Sequence, residues 1–226
     1  MCKAVHLVED VASVRACINI IFAKMQEMLS FCALREGSNE MVGVLIASKL
    51  DRNQMELKLK PSQGDAIHQI ANVKYYAITE ALFYENVDAE KLIHIDLLCV
   101  KPQHQKRGVG TSLVRSCIAR AIKLDAGCVG EFTCDASQTI AERLGFEVYS
   151  EIPYKFMGWL HRSFERFETC QTENYSLVCI AMVPPPPRVV SLIIPPAEDT
   201  KQPPKRRNKN DKKKKKNKKN KKVKKR

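Results

Sequence analysis

Residues 93–123 read IHIDLLCV, then KPQHQKR, then GVGTSLVRSCIARAIK. Ile93 to Val100 is a short apolar run of the length expected for a buried strand. Pro102 stops it, because proline has no N–H to give a strand ladder. From Val109 the apolar residues Val109, Leu113, Val114, Cys117, Ile118, Ala121 and Ile122 recur at the spacing of one helix face. Between strand and helix lie Gln105, Lys106, Arg107, Gly108 and Gly110. Glycine lets main chain approach a ligand, and the first turn of a helix has amides without intrahelical partners. A diphosphate is favoured at such a place by those amides, by the helix dipole and by the Lys106 and Arg107 charges.

Two better-known phosphate loops do not fit. No Lys-Ser or Lys-Thr follows the glycines, so this is not the nucleoside-triphosphate loop. A third glycine at dinucleotide spacing is missing, and the turn from the strand is too long for that fingerprint. The pattern Gln105-x-x-Gly108-x-Gly110 after a strand resembles instead the acyl-CoA pyrophosphate loop of the GNAT N-acetyltransferase superfamily.

Charge divides the chain. Of its 226 residues, Lys205 to Arg226 hold 16 Lys or Arg and one acid, so this tail accounts for more than the whole net charge of +13. Residues 1–204, with 22 basic and 24 acidic side chains, are close to neutral. A polyanion-binding argument therefore applies to the tail alone. Nine cysteines without a C-x-x-C pair read as free thiols in a reducing compartment. Cys17, Cys99, Cys117 and Cys179, set among apolar neighbours, read as small core residues. The N-terminus MCKAVHLVED carries acids before any long apolar run and does not read as a signal peptide. No stretch has the roughly 20 apolar residues of a membrane span.

The remaining elements follow from periodicity. Leu7 to Leu29 and Ala66 to Tyr84 have helical spacing. Phe31 to Leu34 and Met41 to Ala47 read as strands of a hairpin turning at Arg35 to Asn39. Asp51 to Asp65 reads as a loop, and Gly127 as the stop of the helix that begins at Val109. Val129 to Cys134 is then a strand, Ser137 to Leu144 a helix stopped by Gly145, and Phe146 to Ser150 a strand. Tyr154 to Phe167 is ambiguous, and Tyr175 to Val183 is a last strand. The alternation predicts an α/β fold: one domain over 1–183 with a central mixed, twisted sheet and helices on both faces. Residues 184–204, with Pro184 to Pro187, Pro195-Pro196 and Pro203-Pro204, read as an extended linker. Residues 205–226 read as a disordered basic C-terminal tail.

The segment Ser137-Gln-Thr-Ile-Ala-Glu-Arg-Leu-Gly-Phe146, continuing to Pro153-Tyr154, resembles the insect-type arylalkylamine N-acetyltransferases. So does the hairpin SFCALREGSNEMVGVLIA, and the resemblance spans about Ser30 to Val183. It implies an acetyl-CoA co-substrate, no metal, and transfer to a small amine such as dopamine or tyramine by direct attack in a ternary complex. It also implies a GNAT domain whose strand residues Leu98 and Val100 meet the pantetheine arm. Gln105, Lys106, Arg107, Gly108, Val109 and Gly110 match the pyrophosphate loop. The family's acidic Phe-x-x-Asp-Glu-Pro-Leu stretch has no counterpart here; Glu27, Glu9 and Asp10 are loose alternatives. The tyrosine that many GNAT enzymes use as general acid is replaced by Ala141, and the N-terminus reads as short by a strand. Ser137 matches one of the family's hydroxyl pair; by residue type alone it is equally a helix N-cap.

His94 and Asp96 are the remaining catalytic candidates. Their alternation along the central strand sets them on the face that also carries Leu98 and Val100. They read either as a base with a water anchor or as a hydrogen-bonded pair at a strand end. His161, Tyr154 and Trp159 read as acceptor-site lining or as ordinary packing. The rival expectations are a protein acetyltransferase guided by the tail, and an acyl-CoA binder without a base. The tail suits nucleic acid or another polyanion, and it has the composition of a nuclear-import patch. A cytoplasmic monomer, nuclear if the tail directs it there, with no membrane partner completes the expectation.

Overall fold

The computed structural model describes residues 1–50, 59–170 and 176–182. The chain divides into a compact unit, Met1–Pro186, and a second unit, Pro187–Arg226. The expectations for 51–58, for the linker and for the tail lie outside the described residues.

The first helix, α1, spans Val11–Met25 and is shorter than its periodicity predicts. The Asp10 carboxylate accepts the Ser13 amide at 3.1 Å and the Ser13 hydroxyl at 2.6 Å, so the helix starts there and not at Leu7. Met28, at φ 58°, turns the chain away at the other end. The inward face of α1 holds Ser13 and Ala16, while Val11, Ile18, Phe22 and Met25 are exposed. The apolar stripe that announces this helix thus faces outward.

Strands β1 (Phe31–Leu34) and β2 (Met41–Leu50) form the expected hairpin. Beyond the pairing with β1, the edge of β2 is covered by side chains. Ser30 Oγ accepts the Ala47 amide at 3.3 Å, and Glu27 Oε2 accepts the Lys49 amide at 2.7 Å. Glu27, one of the loose candidates for a base, is thus engaged in blunting a sheet edge.

Helix α2 spans Asp65–Ala81, burying Ala66, Val73, Ala77 and Ala81 at helical spacing, and ends where Leu82 adopts a left-handed conformation. The single turn α3 (Phe83–Asn86) leads to the central strand β3 (Leu92–Val100). After a short turn at Pro102–His104, α4 runs over Val109–Lys123 as the spacing predicts. Gly127 does not stop α4, which ends at Lys123 with Asp125 at φ 51°. It opens β4 (Gly127–Phe132) instead, where a Cβ would lie 2.9 Å from the Leu92 side chain. Then follow α5 (Asp135–Arg143), β5 (Glu147–Pro153), the single turn α6 (Met157–Leu160) inside a run of tight turns to Thr169, and β6 (Ser176–Met182).

Among the described residues six strands lie in the order β1-β2-β3-β4-β6-β5, and of these only β3 and β4 pair in parallel. The expectation of a mixed sheet with helices on both faces is met: α1 and α2 cover one face, α4 and α5 the other. Each face has its own core. Val73, Ala77, Leu92, Val129 and Cys179 pack under α2; Ile93, Ile95, Leu113, Val114, Cys117 and Phe132 pack under α4.

Two irregularities in β3 position everything that follows. Pairing with β4 runs from Leu92–Gly127 to Ile95–Gly130 and stops, although both strands continue. On the other edge, Ile95 faces Ala47 while Leu97 faces Ile46, so Asp96 is an extra residue in the ladder. A bulge of this kind shifts the side-chain alternation by one.

Candidate active site

The bulge corrects the expected sharing of faces. Before it, Ile93 and Ile95 belong to the core under α4; after it, Leu98 and Val100 do. His94 and Asp96 therefore lie on the α1/α2 face, opposite Leu98 and Val100. The same shift leaves Cys99 exposed, not in the core, and Cys17 is only partly buried; Cys117 and Cys179 are buried as predicted.

On the α4 side, the edge of β3 from Asp96 to Val100 has no partner strand towards β4 among the described residues. Gln105 Nε2 donates to the Val100 carbonyl at 3.0 Å, tying the following loop to the strand end. Lys106 (φ 58°) and Gly108 (φ 81°) both turn through the left-handed region. Among the described residues, no hydrogen-bond partner is found for the successive amides of Lys106 through Thr111; the first amide of α4 to find one is Ser112, bonded to the Gly108 carbonyl. These amides form a concave donor array at the positive end of a helix, with the exposed Lys106 and Arg107 beside it. The two glycines serve different ends. Gly108 has open space around its Cα and is required by its dihedral angle. Gly110 is buried, and a Cβ there would come to 3.0 Å from Ile140 Cδ1 on α5, so it allows α5 to pack closely. Val109 packs towards Gly43 of β2.

On the α1/α2 side, the first residues past the last β3–β4 pair are Asp96 and Glu131. His94 bridges them: Nδ1 donates to Asp96 Oδ1 at 2.8 Å, and Nε2 donates to Glu131 Oε2 at 2.8 Å. An imidazole between two carboxylates fills both bonds only as imidazolium. Ser48 on β2 donates to Asp96 Oδ2 at 2.7 Å. Lys24 on α1 donates to Asp96 Oδ1, and to Ser48 Oγ at 2.9 Å. Lys74 on α2 lies 3.3 Å from Glu131 Oε2 and 3.4 Å from the Asp96 carbonyl. Glu131 Oε1 is buried with no partner among the described residues. The Glu131 side chain is 0% exposed and that of Asp96 10%, whereas Lys24 and Lys74 are 28% and 25% exposed.

Burial opposes charge on each buried member, and the partners outweigh it. His94 would be pushed down by desolvation, but the Glu131 and Asp96 carboxylates raise its pKa to about 9. Asp96 would be pushed up by burial, but His94 and the two lysines hold it well below the usual carboxylate range. Glu131, likewise desolvated, is held at about 2 by His94 and Lys74. Lys74 is desolvated too, and Glu131 and Asp96 raise its pKa above the ordinary value. At neutral pH the cluster thus has three cations against two anions, and His94 has no free lone pair to accept a proton.

The structure brings His94 and Asp96 together but leaves Ser137 apart, in the first turn of α5. There Cys134, not Ser137, is the N-cap residue, and the Ser137 hydroxyl donates to the Cys134 carbonyl at 2.8 Å. Tyr154 is buried, donating to the Thr133 carbonyl at 3.0 Å, while Trp159 is 86% exposed and His161 Nδ1 accepts the Ser163 amide at 3.2 Å. Glu131, Lys74, Lys24 and Ser48 were not read from the sequence. Glu131 carried a signal, a lone charge in the apolar run Val129-Gly-Glu-Phe132; the two lysines carried none, since each sits on an amphipathic helix.

A groove of about 310 Å³ beside α2 is lined by Tyr76, Glu80, Phe156 and Leu160 together with residues of β5. The larger cavity, about 990 Å³, lies at the start of β3 among Leu29, Tyr84, Leu92 and Leu124, far along the strand from the amide array. No group among the described residues is arranged to hold a metal ion, and no helix there is long and apolar enough to cross a membrane.

A sequence profile described as the acetyltransferase (GNAT) family matches residues 12–146, more than half of the chain. No curated protein sequence matches it. Among solved structures, one from the yellow fever mosquito Aedes aegypti, described as arylalkylamine N-acetyltransferase 7 by assignment, is similar at a TM-score of 0.70 and 22% identity, over 80% of this chain and 74% of that one. Arylalkylamine N-acetyltransferase 2 of Aedes aegypti is similar at 0.65 and 19%, over 74% and 78%. A Drosophila melanogaster polyamine N-acetyltransferase that forms N-acetylagmatine is similar at 0.58 and 16%, over 73% and 79%. At these identities the likeness establishes a shared fold.

Proposed function

This chain belongs to the GNAT acetyltransferase family, and on that premise we propose that it transfers the acetyl group of acetyl-CoA to the primary amine of a small arylalkylamine, by direct attack in a ternary complex. One observation carries the reading: the free edge of β3 leads straight into the unpartnered amides of Lys106 to Thr111. That array fits acetyl-CoA, whose diphosphate needs donors and positive charge and whose pantetheine amides need a strand edge. Gly108, Val109 and Gly110 contribute main chain, Lys106 and Arg107 add charge, and Gln105 holds the loop to Val100. Leu98 and Val100 turn their side chains to α4 and leave their backbone edge free.

When bound, acetyl-CoA supplies a thioester carbonyl: the amine nitrogen forms the C–N bond, the C–S bond breaks, coenzyme A leaves as the thiol, and the surplus amine proton passes to water. An alkylamine with a pKa near that of lysine spends about 4 kcal/mol to be neutral at pH 7. The cluster's excess of positive charge, from Lys24, Lys74 and protonated His94, lowers that cost for an amine beside it. His94 and Asp96 accordingly act through charge and position. The aromatic lining of the groove beside α2 supports an acceptor with an aromatic body. Residues 184–204 as linker and 205–226 as a polyanion-binding tail belong to the same proposal and take no part in the chemistry.

The test is acetyl-CoA turnover with dopamine, tyramine, a lysine-containing histone peptide and no acceptor. Turnover with the two arylalkylamines, unchanged when residues 184–226 are removed, is expected. Turnover with the peptide alone would replace the substrate class. Absence of calorimetric heat with acetyl-CoA would end the acyl-transfer reading.

A further inference from the structure

The charge cluster contains one cation, a primary ammonium, beyond the two that balance its two carboxylates. His94 already pairs Asp96 with Glu131 at 2.8 Å on each side. Lys74 adds only longer contacts, 3.3 Å to Glu131 Oε2 and 3.4 Å to the Asp96 carbonyl. It reaches in from α2 with a quarter of its side chain still exposed. The other carboxylate oxygen, Glu131 Oε1, is fully buried and has no hydrogen-bond partner among the described residues. A buried carboxylate oxygen without a donor costs about 1–3 kcal/mol or more. Such a group is worth keeping where a ligand completes it, and Glu131 stands on β4 one residue past the last pair with β3, where the strands part.

We propose that the acceptor amine takes the place of the Lys74 ammonium and donates an N–H to Glu131 Oε1, which makes Glu131 the amine-binding residue and Lys74 a specificity-determining placeholder. The inference deepens the amine-acetyltransferase reading and rests on it. Lys74 and the arriving substrate end in the same group, a carbon chain carrying NH3⁺, so entry leaves the charge of the cluster unchanged; the surplus proton then passes to water, favoured by Lys24, Lys74 and His94 around it, and the neutral amine keeps one N–H on Glu131 Oε1. Only the loosest member needs to move; Glu131 stays paired to His94 throughout. The displaced Lys74 and the nearby Lys24 then stand around the entering chain, a quarter or so exposed. A second cation on the acceptor would meet both. The site therefore selects amines with a single positive charge and disfavours diamines.

The test uses the full chain, with tyramine and putrescine as monoamine and diamine probes, and acetyl-CoA affinity by calorimetry as an independent reading of the coenzyme half. In Lys74→Met the internal competitor is gone. The KM for tyramine should fall by up to about fivefold, the worth of one partly exposed competing ion pair at up to ~1 kcal/mol, with acetyl-CoA affinity unchanged. The preference for tyramine over putrescine should shrink. Lys74→Arg keeps the competitor and binds carboxylate in a fork, so its KM for tyramine should rise. Glu131→Gln should raise KM more than it lowers kcat. An unchanged or raised KM in Lys74→Met, or a lowered one in Lys74→Arg, with acetyl-CoA still bound, would overturn the proposal. Wild-type protein that binds acetyl-CoA and acetylates neither probe nor dopamine would instead overturn the function it rests on.

Discussion

The two halves of the site share strand β3 and are built in opposite ways. On the α4 side, the groups that face a ligand are main-chain amides from one short stretch, Lys106 to Thr111. On the α1/α2 side they are side chains brought together from α1, β2, α2, β3 and β4. A backbone site keeps its donors whatever side chains surround it, provided the dihedral angles hold. A side-chain cluster depends on each member, because each charge is buried only by virtue of the others.

The sharpest test of that contrast is Glu131→Leu. It removes the carboxylate shared by His94 and Lys74 and leaves them buried against an apolar group. A loss of about 3–5 kcal/mol in urea unfolding at neutral pH is expected; a loss near zero would show that the cluster is not coupled. Next in size is the pH dependence of stability. The pKa of His94 is raised to about 9 from 6.5, so its contribution is complete below pH 6.5 and is lost as pH rises through 9. Up to about 3 kcal/mol should disappear across that window, and His94→Gln should flatten the profile; a wild-type curve that rises from pH 7 to 9 would reverse the assignment.

The loop should respond to backbone rather than to side chains. Gly108→Val forces a β-branched residue into φ 81° and should cost about 1–2 kcal/mol of stability together with most of the acetyl-CoA affinity. Gly108→Asn, which tolerates that region, should retain binding measured by calorimetry. The smallest effect is expected from Lys106→Ala combined with Arg107→Ala. These side chains are exposed, so acetyl-CoA affinity should fall by about tenfold or less, and the difference should fade with added salt. If the double variant weakened binding more than Gly108→Val, the loop would be a side-chain site after all.

The same division explains what could be read in advance. The helices α2 and α4, the hairpin, and the strand–loop–helix unit from Ile93 to Lys123 are legible because hydrophobic period and turn residues are local properties. The amide array was legible for the same reason: it needs only glycine at Gly108 and a helix start. Where the reading failed, a hydrogen bond or packing contact outside the apolar period intervened. Asp10 fixed the start of α1 by capping Ser13, and the stripe from Val11 to Met25 turned outward because Ser13 and Lys24 had partners within. Gly127 proved a packing glycine against Leu92, not a helix stop. His94 and Asp96 were found as a polar pair in an apolar strand, but their face was misjudged because the bulge is visible only in the pairing with β2.

By itself, then, the order of residues determined the class of fold, the central unit and the loop that suits a diphosphate, since each depends on contacts along one short segment. Only the tertiary structure decided which face His94 serves, that it is held as a cation, and that Glu131 and two lysines surround it. Those are contacts between Lys24, Lys74, Asp96 and Glu131, residues far apart in the chain. Their charges settle only once burial has removed the water between them.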